Sequence, residues 1–588
     1  MQKYLKIGNF LNKALVSLML ALGVIALFGG IMGILMPRFV FSTFILPLAN
    51  TYSETGRIRE ISTIQFLYQE WIRLRYFLTV AGIITAIFCF FWDSLENKTE
   101  KTSMHAVDRA VTLESKNRLY AVILFALTLV GAILRSVNLN QSLWGDEIAT
   151  LVIFIKQIKF WRYVELGVSL VYSWLGLISL KLFGESEITG RLPAFLLGII
   201  AIPSIYYVTK SFFSRKEGLL ASVLLCISYF HIRYSAELRG YTALLLFSLL
   251  SSYMFLVIVL NRENTKITRA QIWLTAYTVL GALSHFYFIW VLFAQYLTLL
   301  SAPAVERITG RKIVEKGNIR HTIDAITWGI LIAVLLYGPQ LLPAIFLKYT
   351  SWKDAGDIKN FFHIIGELLT GSRNSIYIFI LLAVMLFSLI DWWRNKKEAL
   401  VIYFISLTLP LIIVKLICKA TFPRYFIYLL PIWLIATTHG FKIISEKCSL
   451  SLRPAVISLL VVMFASFQMP AITRYFQYYK KGMQDNRSAG EFINAAAGAN
   501  DMVTAIGLGK MAAGHYIKKH KLEYFKNEEE LGKQLETGRQ RMWCLVAFPA
   551  AYDATTRAMY KIVKEKCRLV AYFSGMTADI SVYVSNGK

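Results

Sequence analysis

Leu170–Phe183, reading Leu-Val-Tyr-Ser-Trp-Leu-Gly-Leu-Ile-Ser-Leu-Lys-Leu-Phe, is the stretch on which the topology of the whole chain turns. It is apolar but short, with Lys181 near its end. At about 1.5 Å per residue a helix of this length reaches roughly 20 Å, whereas the hydrocarbon layer of a bilayer is about 30 Å thick. The stretch therefore reads as a helix lying along the membrane interface. If it crossed, every later loop would change side, and the basic runs Ser214-Arg215-Lys216 and Arg394-Asn395-Lys396-Lys397 would face outward.

Outward from this point the chain is a succession of apolar runs. One precedes it, at 119–137; ten follow, at 193–212, 218–232, 240–260, 272–285, 287–302, 324–345, 375–391, 399–416, 423–438 and 454–470. Two more, at 14–36 and 77–92, make about 13 spans. The first of these follows a basic N-terminus with no small-residue cleavage site, so it reads as an uncleaved span. Composition agrees: the 588 residues are 56% hydrophobic and 14% aromatic, with mean hydropathy +0.52. This is a polytopic helical membrane protein by pattern.

Charge sets the orientation. Lys and Arg number 63 against 36 Asp and Glu, a net +27. The segments assigned to the cytoplasm hold 25 Lys and Arg in 101 residues, against 20 in 145 on the other side. The positive-inside bias thus favours a cytoplasmic N-terminus. The excess charge fits basic loops against anionic lipid, with an anionic lipid-phosphate substrate as a second contributor. No basic stretch has the length or motif for nucleic acid.

Three domains are expected: a two-span extension at 1–114, a transmembrane core at 115–470, and an extracytoplasmic domain at 471–588. In the last, alternating helical and β-rich runs predict a small open α/β sheet. Gly507 and Gly509 form a lone Gly-x-Gly that reads as a tight turn rather than a nucleotide loop. Of six cysteines, Cys544 and Cys567 alone share this domain. Two free thiols are expected there, with a bridge as the alternative. No metal-ligand spacing is present, so no obligatory cofactor is expected, and a divalent metal stays open.

On this topology one face of the membrane collects Asp146 and Glu147, Glu237 and Arg239, His285 and Arg424. Charges are tolerable at span ends beside a polar cavity. Adjacent residues on a helix point about 100° apart, so one of Asp146 and Glu147 can be a general base while its neighbour orients a loop or binds substrate. Glu237, Arg239 and Tyr241 share a face if extended; Glu237 and Tyr241 align if helical. His285 and Tyr287 sit at a turn between apolar runs, and Phe422-Pro-Arg-Tyr425 opens one. For each, ordinary surface pairing, packing or interface anchoring is the plainer reading.

These residues resemble those of the C-type membrane glycosyltransferases, in the protein O-mannosyltransferase and aminoarabinose-transferase superfamily. The stretches that carry the likeness are SLWGDEIAT (142–150), KLFGESEITGRLPAFLLGIIAIPSIYYVTKSFFSRKEGLLAS (181–222) and FHIRYSAELRGYTALLLFSLLSSYMF (230–255). SHFYFIW (284–290), FPRYFIYLLPIW (422–433) and DNRSAGEFINAAAGANDMV (485–503) extend it. The resemblance implies sugar transfer, with inversion, from a polyprenyl-phosphate carrier to an acceptor hydroxyl at the outer face of the cytoplasmic membrane. The acceptor class stays open among glycan, lipid and protein. It implies Asp146 as base, with Glu147 beside it. Glu237, Arg239 and Tyr241 match an acid-x-Arg-x-Tyr motif, and Arg424 matches a Pro-Arg-Tyr arginine, with Tyr425 following. Glu147 and Glu237 are expected with Asp146 among the catalytic residues, Arg239 and Arg424 become donor-phosphate ligands, and Tyr241, His285, Tyr287 and Tyr425 position substrate. Many relatives carry His-Pro-Pro-Leu-Tyr where this chain has Val168-Ser-Leu-Val-Tyr172. A lipid or solute transporter, or an inactive glycosyltransferase-like scaffold, is the alternative.

Overall fold

The computed structural model describes residues 117–156, 169–261, 267–337, 361–372, 374–417, 422–449, 452–479, 481–507, 509–537, 540–547 and 554–585. The expected spans at 14–36 and 77–92, and Val168, lie outside the described residues. The chain is a multi-pass helical membrane protein. Its helices begin with α1 (Asn117–Ser136), the one-turn α2 (Gly145–Ala149), α3 (Leu170–Phe183), α4 (Glu187–Phe212), α5 (Arg215–Ile227), α6 (Tyr229–Tyr234) and α7 (Tyr241–Leu260). There follow α8 (Ile267–Ser284), α9 (Ile289–Thr309), α10 (Lys316–Tyr337), α11 (Phe361–Thr370), α12 (Ser375–Arg394), α13 (Glu398–Ile417), α14 (Leu430–Glu446) and α15 (Arg453–Gln477). Starts are set locally: the hydroxyls of Ser169, Ser186 and Ser214 accept the backbone N–H of Tyr172, Thr189 and Glu217, capping α3, α4 and α5.

Among the described residues eight helices are long and apolar enough to cross a membrane. Three more occupy expected span positions. α8 and α13 are 18 and 20 residues long. α5 has only 13, and extended backbone at Ser228 breaks it from α6. α7 is the central helix, 72% buried, while α1 and α15 are 17% buried and turn their apolar faces outward. In water such faces would be a defect; in lipid they are matched by the solvent.

The short helix α3 does not cross. Its cap Ser169 touches Gly240 at the start of α7, and Glu187, just beyond its other end, pairs with Arg487 of the C-terminal domain. Both ends therefore lie at the same end of the bundle. Tyr172 and Ser179 donate to the carbonyls of Gly190 and Thr189, 2.7 Å each. Two positions seven residues apart on α3 thus meet one turn of α4, which places α3 across the head of α4. Gly240 is glycine because an added Cβ would lie 2.3 Å from Ser169 Cβ and 2.9 Å from the Ser284 carbonyl.

The C-terminal segment forms α16 (Asn486–Ala496), β1 (Met502–Gly507), α17 (Gly509–Tyr516), β2 (Leu522–Glu523), α18 (Glu528–Thr537), β3 (Met542–Ala547), α19 (Ala554–Lys566), β4 (Cys567–Phe573) and β5 (Ile580–Ser585). The sheet order is β2-β1-β3-β5-β4. β1 pairs parallel with β2 and β3, while β5 runs antiparallel to β3 and β4. Only β2 escaped the sequence pattern, being two residues long. Gly507, at φ 66°, closes β1, as a tight turn requires. Cys544 and Cys567 are free thiols. Their strands are separated by β5, which sets the backbones about 10 Å apart, beyond the roughly 7 Å a bridge can span.

Candidate active site

The turn after α1 delivers Trp144-Gly-Asp-Glu147 to one end of the bundle as the start of α2. Glu147, in the first turn of α2, reaches back to accept the Trp144 N–H at 3.3 Å. Its carboxylate is fully buried and paired at two points with Arg191 of α4, at 2.8 and 2.5 Å. The Leu238 N–H adds a fourth bond, 2.7 Å long. Arg191 spends its remaining donors on the carbonyls of Leu139, Gln141 and Ser142. Glu147 is thus saturated, and it fastens the turn to the loop before α7.

Asp146 points the other way. Its side chain is 34% exposed and lies 3.3 Å from Arg424 and 3.9 Å from Arg239. Arg424 comes from the 3-10 turn Pro423–Leu429 that opens the α14 span. Its Nε is buried without a hydrogen-bond partner among the described residues. Trp144, Phe422 and Tyr425 ring its guanidinium, at 5.5, 4.4 and 5.6 Å. Arg239 donates to Thr150 Oγ1 at 3.3 Å and to the Tyr241 hydroxyl at 3.3 Å. Thr150 opens a six-residue π-helix, a distortion that often marks functional sites.

An aromatic wall backs these charges. The His285 ring lies 5.5 Å from Tyr241, 5.6 Å from Tyr425 and 5.7 Å from Tyr287, and Tyr287 lies 4.9 Å from Tyr425. His285 Nδ1 accepts the Tyr287 N–H at 3.1 Å. That bond assigns the ring proton of the neutral tautomer to Nε2. Asp146, Arg239, Tyr241, His285, Tyr287, Arg424 and Tyr425 therefore meet at one place, brought there from four separate parts of the chain.

Glu237 stands apart from Arg239. Its buried carboxylate accepts from Arg233 at 3.1 Å, and Arg233 also approaches Glu367 at 3.6 Å. Burial raises the Glu237 carboxyl above the usual range against the opposing pull of Arg233, and the Glu147 charge adds to the rise. Its Oε2 has no hydrogen-bond partner among the described residues. Neither the extended nor the helical reading of 237–241 anticipated this. Arg239 joins Tyr241, as the extended reading allows, but Glu237 turns back one helical turn to Arg233.

Sequence reasoning missed Arg191, Arg233 and Glu367. Arg191 and Arg233 left a trace: each is a charge within an otherwise apolar stretch, which is costly without a partner. It also missed Gln484, Asn486 and Tyr516, which bond the backbone around Leu143. Nothing in composition or spacing marks those three. Among the described residues no group of three or more His, Cys, Asp or Glu side chains is placed to hold a metal. A groove of about 600 Å³ runs elsewhere, along Met469, Thr473 and Gln477 of α15, and involves none of the residues above.

Residues 167–318 match the family model of dolichyl-phosphate-mannose-protein mannosyltransferases. Over that part of its length the chain is similar to this family. The chain shares its fold with ArnT of Cupriavidus metallidurans. The apo form aligns with TM-score 0.54 at 11% identity, over 80% of this chain and 98% of that one. The form bound to undecaprenyl phosphate aligns at 0.52 and 11%, over 79% and 98%. The apo oligosaccharyltransferase of Archaeoglobus fulgidus aligns at 0.50 and 12%, over 73% and 70%. At these identities the likeness is one of fold. No curated protein matches the sequence at a significant level. Before α3 the chain has Ser169, which caps that helix, and Tyr172 fixes it to Gly190.

Proposed function

We propose that the protein is a glycosyltransferase that moves a sugar from a polyprenyl-phosphate carrier to an acceptor hydroxyl, with inversion, at the outer face of the cytoplasmic membrane. The observation that carries this is the partly exposed Asp146 carboxylate with two arginines beside it, backed by aromatic rings. The carrier class is suggested by the ArnT structure that holds undecaprenyl phosphate.

In the proposed reaction Arg239 and Arg424 bind the donor phosphate. Their charge, fixed before reaction, stabilises the negative charge that develops on the leaving oxygen. Asp146 accepts the proton of the acceptor hydroxyl as its oxygen bonds to the anomeric carbon. The bond from that carbon to the phosphate oxygen breaks on the opposite face, releasing polyprenyl phosphate. The rings of Tyr241, His285, Tyr287 and Tyr425 form the wall against which the sugar stacks. Glu147 serves the reaction by holding the turn that presents Asp146, and Glu237 by holding Arg233.

The test is to purify the protein and screen polyprenyl-phosphate sugars by native mass spectrometry. Donors that bind are then supplied in labelled form with glycan, lipid and protein acceptors. Retained donor with released carrier and a glycosylated product supports the reading. Protein that binds no donor and transfers none refutes it.

A further inference from the structure

We infer that the C-terminal sheet domain is a positioning part of the catalytic loop, acting through Gln484, Asn486 and Tyr516. The inference rests on Asp146 being the base proposed above.

Residues 137–144, between α1 and α2, lack regular secondary structure. Their backbone groups must find partners elsewhere. From the membrane side Arg191 takes three of the carbonyls, those of Leu139, Gln141 and Ser142. From the other side the partners come from the C-terminal domain and the turn leading into it. The Leu143 N–H donates to the Tyr516 hydroxyl at 2.9 Å. The Leu143 carbonyl accepts from Asn486 Nδ2 at 2.8 Å. The Gly145 N–H donates to Gln484 Oε1 at 3.1 Å. Ser142 Oγ accepts the Arg487 N–H at 3.0 Å.

The grip is built from buried polar side chains that also hold one another. Gln484 and Asn486 are both nearly inaccessible, and Asn486 Nδ2 lies 3.3 Å from Gln484 Oε1. The Tyr516 hydroxyl in turn donates a hydrogen bond to Glu187 at 3.1 Å, and Arg487 pairs with the same carboxylate. Leu143 and Ala512 of α17 share one apolar cluster. The bonds from Gln484, Asn486, Tyr516 and the Arg487 N–H end within four residues of Asp146, that from Gln484 on the residue before it, while the Arg487 guanidinium reaches the Asn140 carbonyl at 3.1 Å. Among the described residues none of the domain hydrogen-bonds the Asp146 side chain, so the grip described acts on it through the backbone. An interface serving stability alone would need only apolar burial, without donors and acceptors aimed at three successive peptide units.

The experiment uses the full chain in lipid nanodiscs, with Gln484→Met and Tyr516→Phe, each removing one acceptor at similar volume. Val563→Ala, in the far core of the sheet domain, is the stability control. The expected result is a kcat about tenfold to a hundredfold lower for both site variants. Donor KM should stay within about twofold. Val563→Ala lowers the unfolding temperature without changing kcat. Wild-type kcat in Tyr516→Phe, or an equal loss in Val563→Ala, overturns the inference. A second arm needs no substrate: hydrogen exchange of the 140–150 segment. Faster exchange in the site variants supports the grip, and unchanged exchange overturns it whatever the activity. If the wild type transfers no sugar while exchange still responds, the proposed function fails and the grip stands. Should Gln484→Met not fold, Tyr516→Phe carries both arms, since it loses a single oxygen.

Discussion

Glu147 and Arg191, drawn from different helices, form a two-point ion pair with neither side chain exposed to solvent. Its neighbour in the chain, Asp146, remains open to the site. The two adjacent acids are therefore divided between structure and chemistry by the direction in which the first turn of α2 points them.

The division predicts opposite outcomes for the two acids. Arg191→Met leaves a buried carboxylate without its cation and three carbonyls without donors. The expected loss is about 3–5 kcal/mol of stability, read by thermal unfolding. Arg191→Lys should not rescue it, because an ammonium cannot reproduce the guanidinium fork. An Arg191→Met protein that unfolds at the wild-type temperature would refute the role assigned to the pair.

Asp146→Asn should fold as well as the wild type, since its partners are at the surface of the site. Transfer should fall by about 10²–10⁴-fold, the usual worth of a positioned general base. Activity per folded molecule decides the point, and full transfer by this variant would remove Asp146 from the mechanism.

Arg239→Gln and Arg424→Gln should each weaken donor binding by about tenfold or more, as loss of a charge-assisted phosphate contact does. Arg424→Lys should not restore it, because the planar guanidinium lies among Trp144, Phe422 and Tyr425. Donor affinity measured by native mass spectrometry is the readout. Unaltered affinity in both Gln variants would locate the phosphate elsewhere.

Cys544 and Cys567 should stay reduced even when the protein is prepared without reductant, and the intact mass should report two thiols. Burial pushes the Cys567 thiol up to about 11. Raising a thiol's pKa lowers its thiolate fraction at fixed pH, here to roughly one part in a thousand at pH 8. Alkylation of Cys567 should therefore be far slower than that of a free cysteine at pH 8, and should quicken as pH rises toward 11. Rapid labelling at pH 8 would contradict the burial.

The membrane architecture was legible because hydrophobic length is a local property. Each core span follows from whether its own residues can stay in hydrocarbon, and the short length of Leu170–Phe183 settled its fate without reference to any neighbour. The alternation of β and helical runs after residue 485 was legible for the same reason, apart from the two-residue β2. The face on which Asp146, Arg239, His285 and Arg424 gather followed from counting crossings, and the structure brings all four together.

Pairing, by contrast, was decided by the tertiary structure. The sequence by itself determined which segments enter lipid and which charges stand at their ends, because transfer into hydrocarbon depends on each segment's own side chains. Only the folded chain decided that Glu147 closes on Arg191, that Glu237 turns to Arg233 and away from Arg239, and that Gln484, Asn486 and Tyr516 reach across to the loop bearing Asp146. Those choices depend on distances of about 3 Å between residues far apart in the chain, and no periodicity within a single segment encodes them.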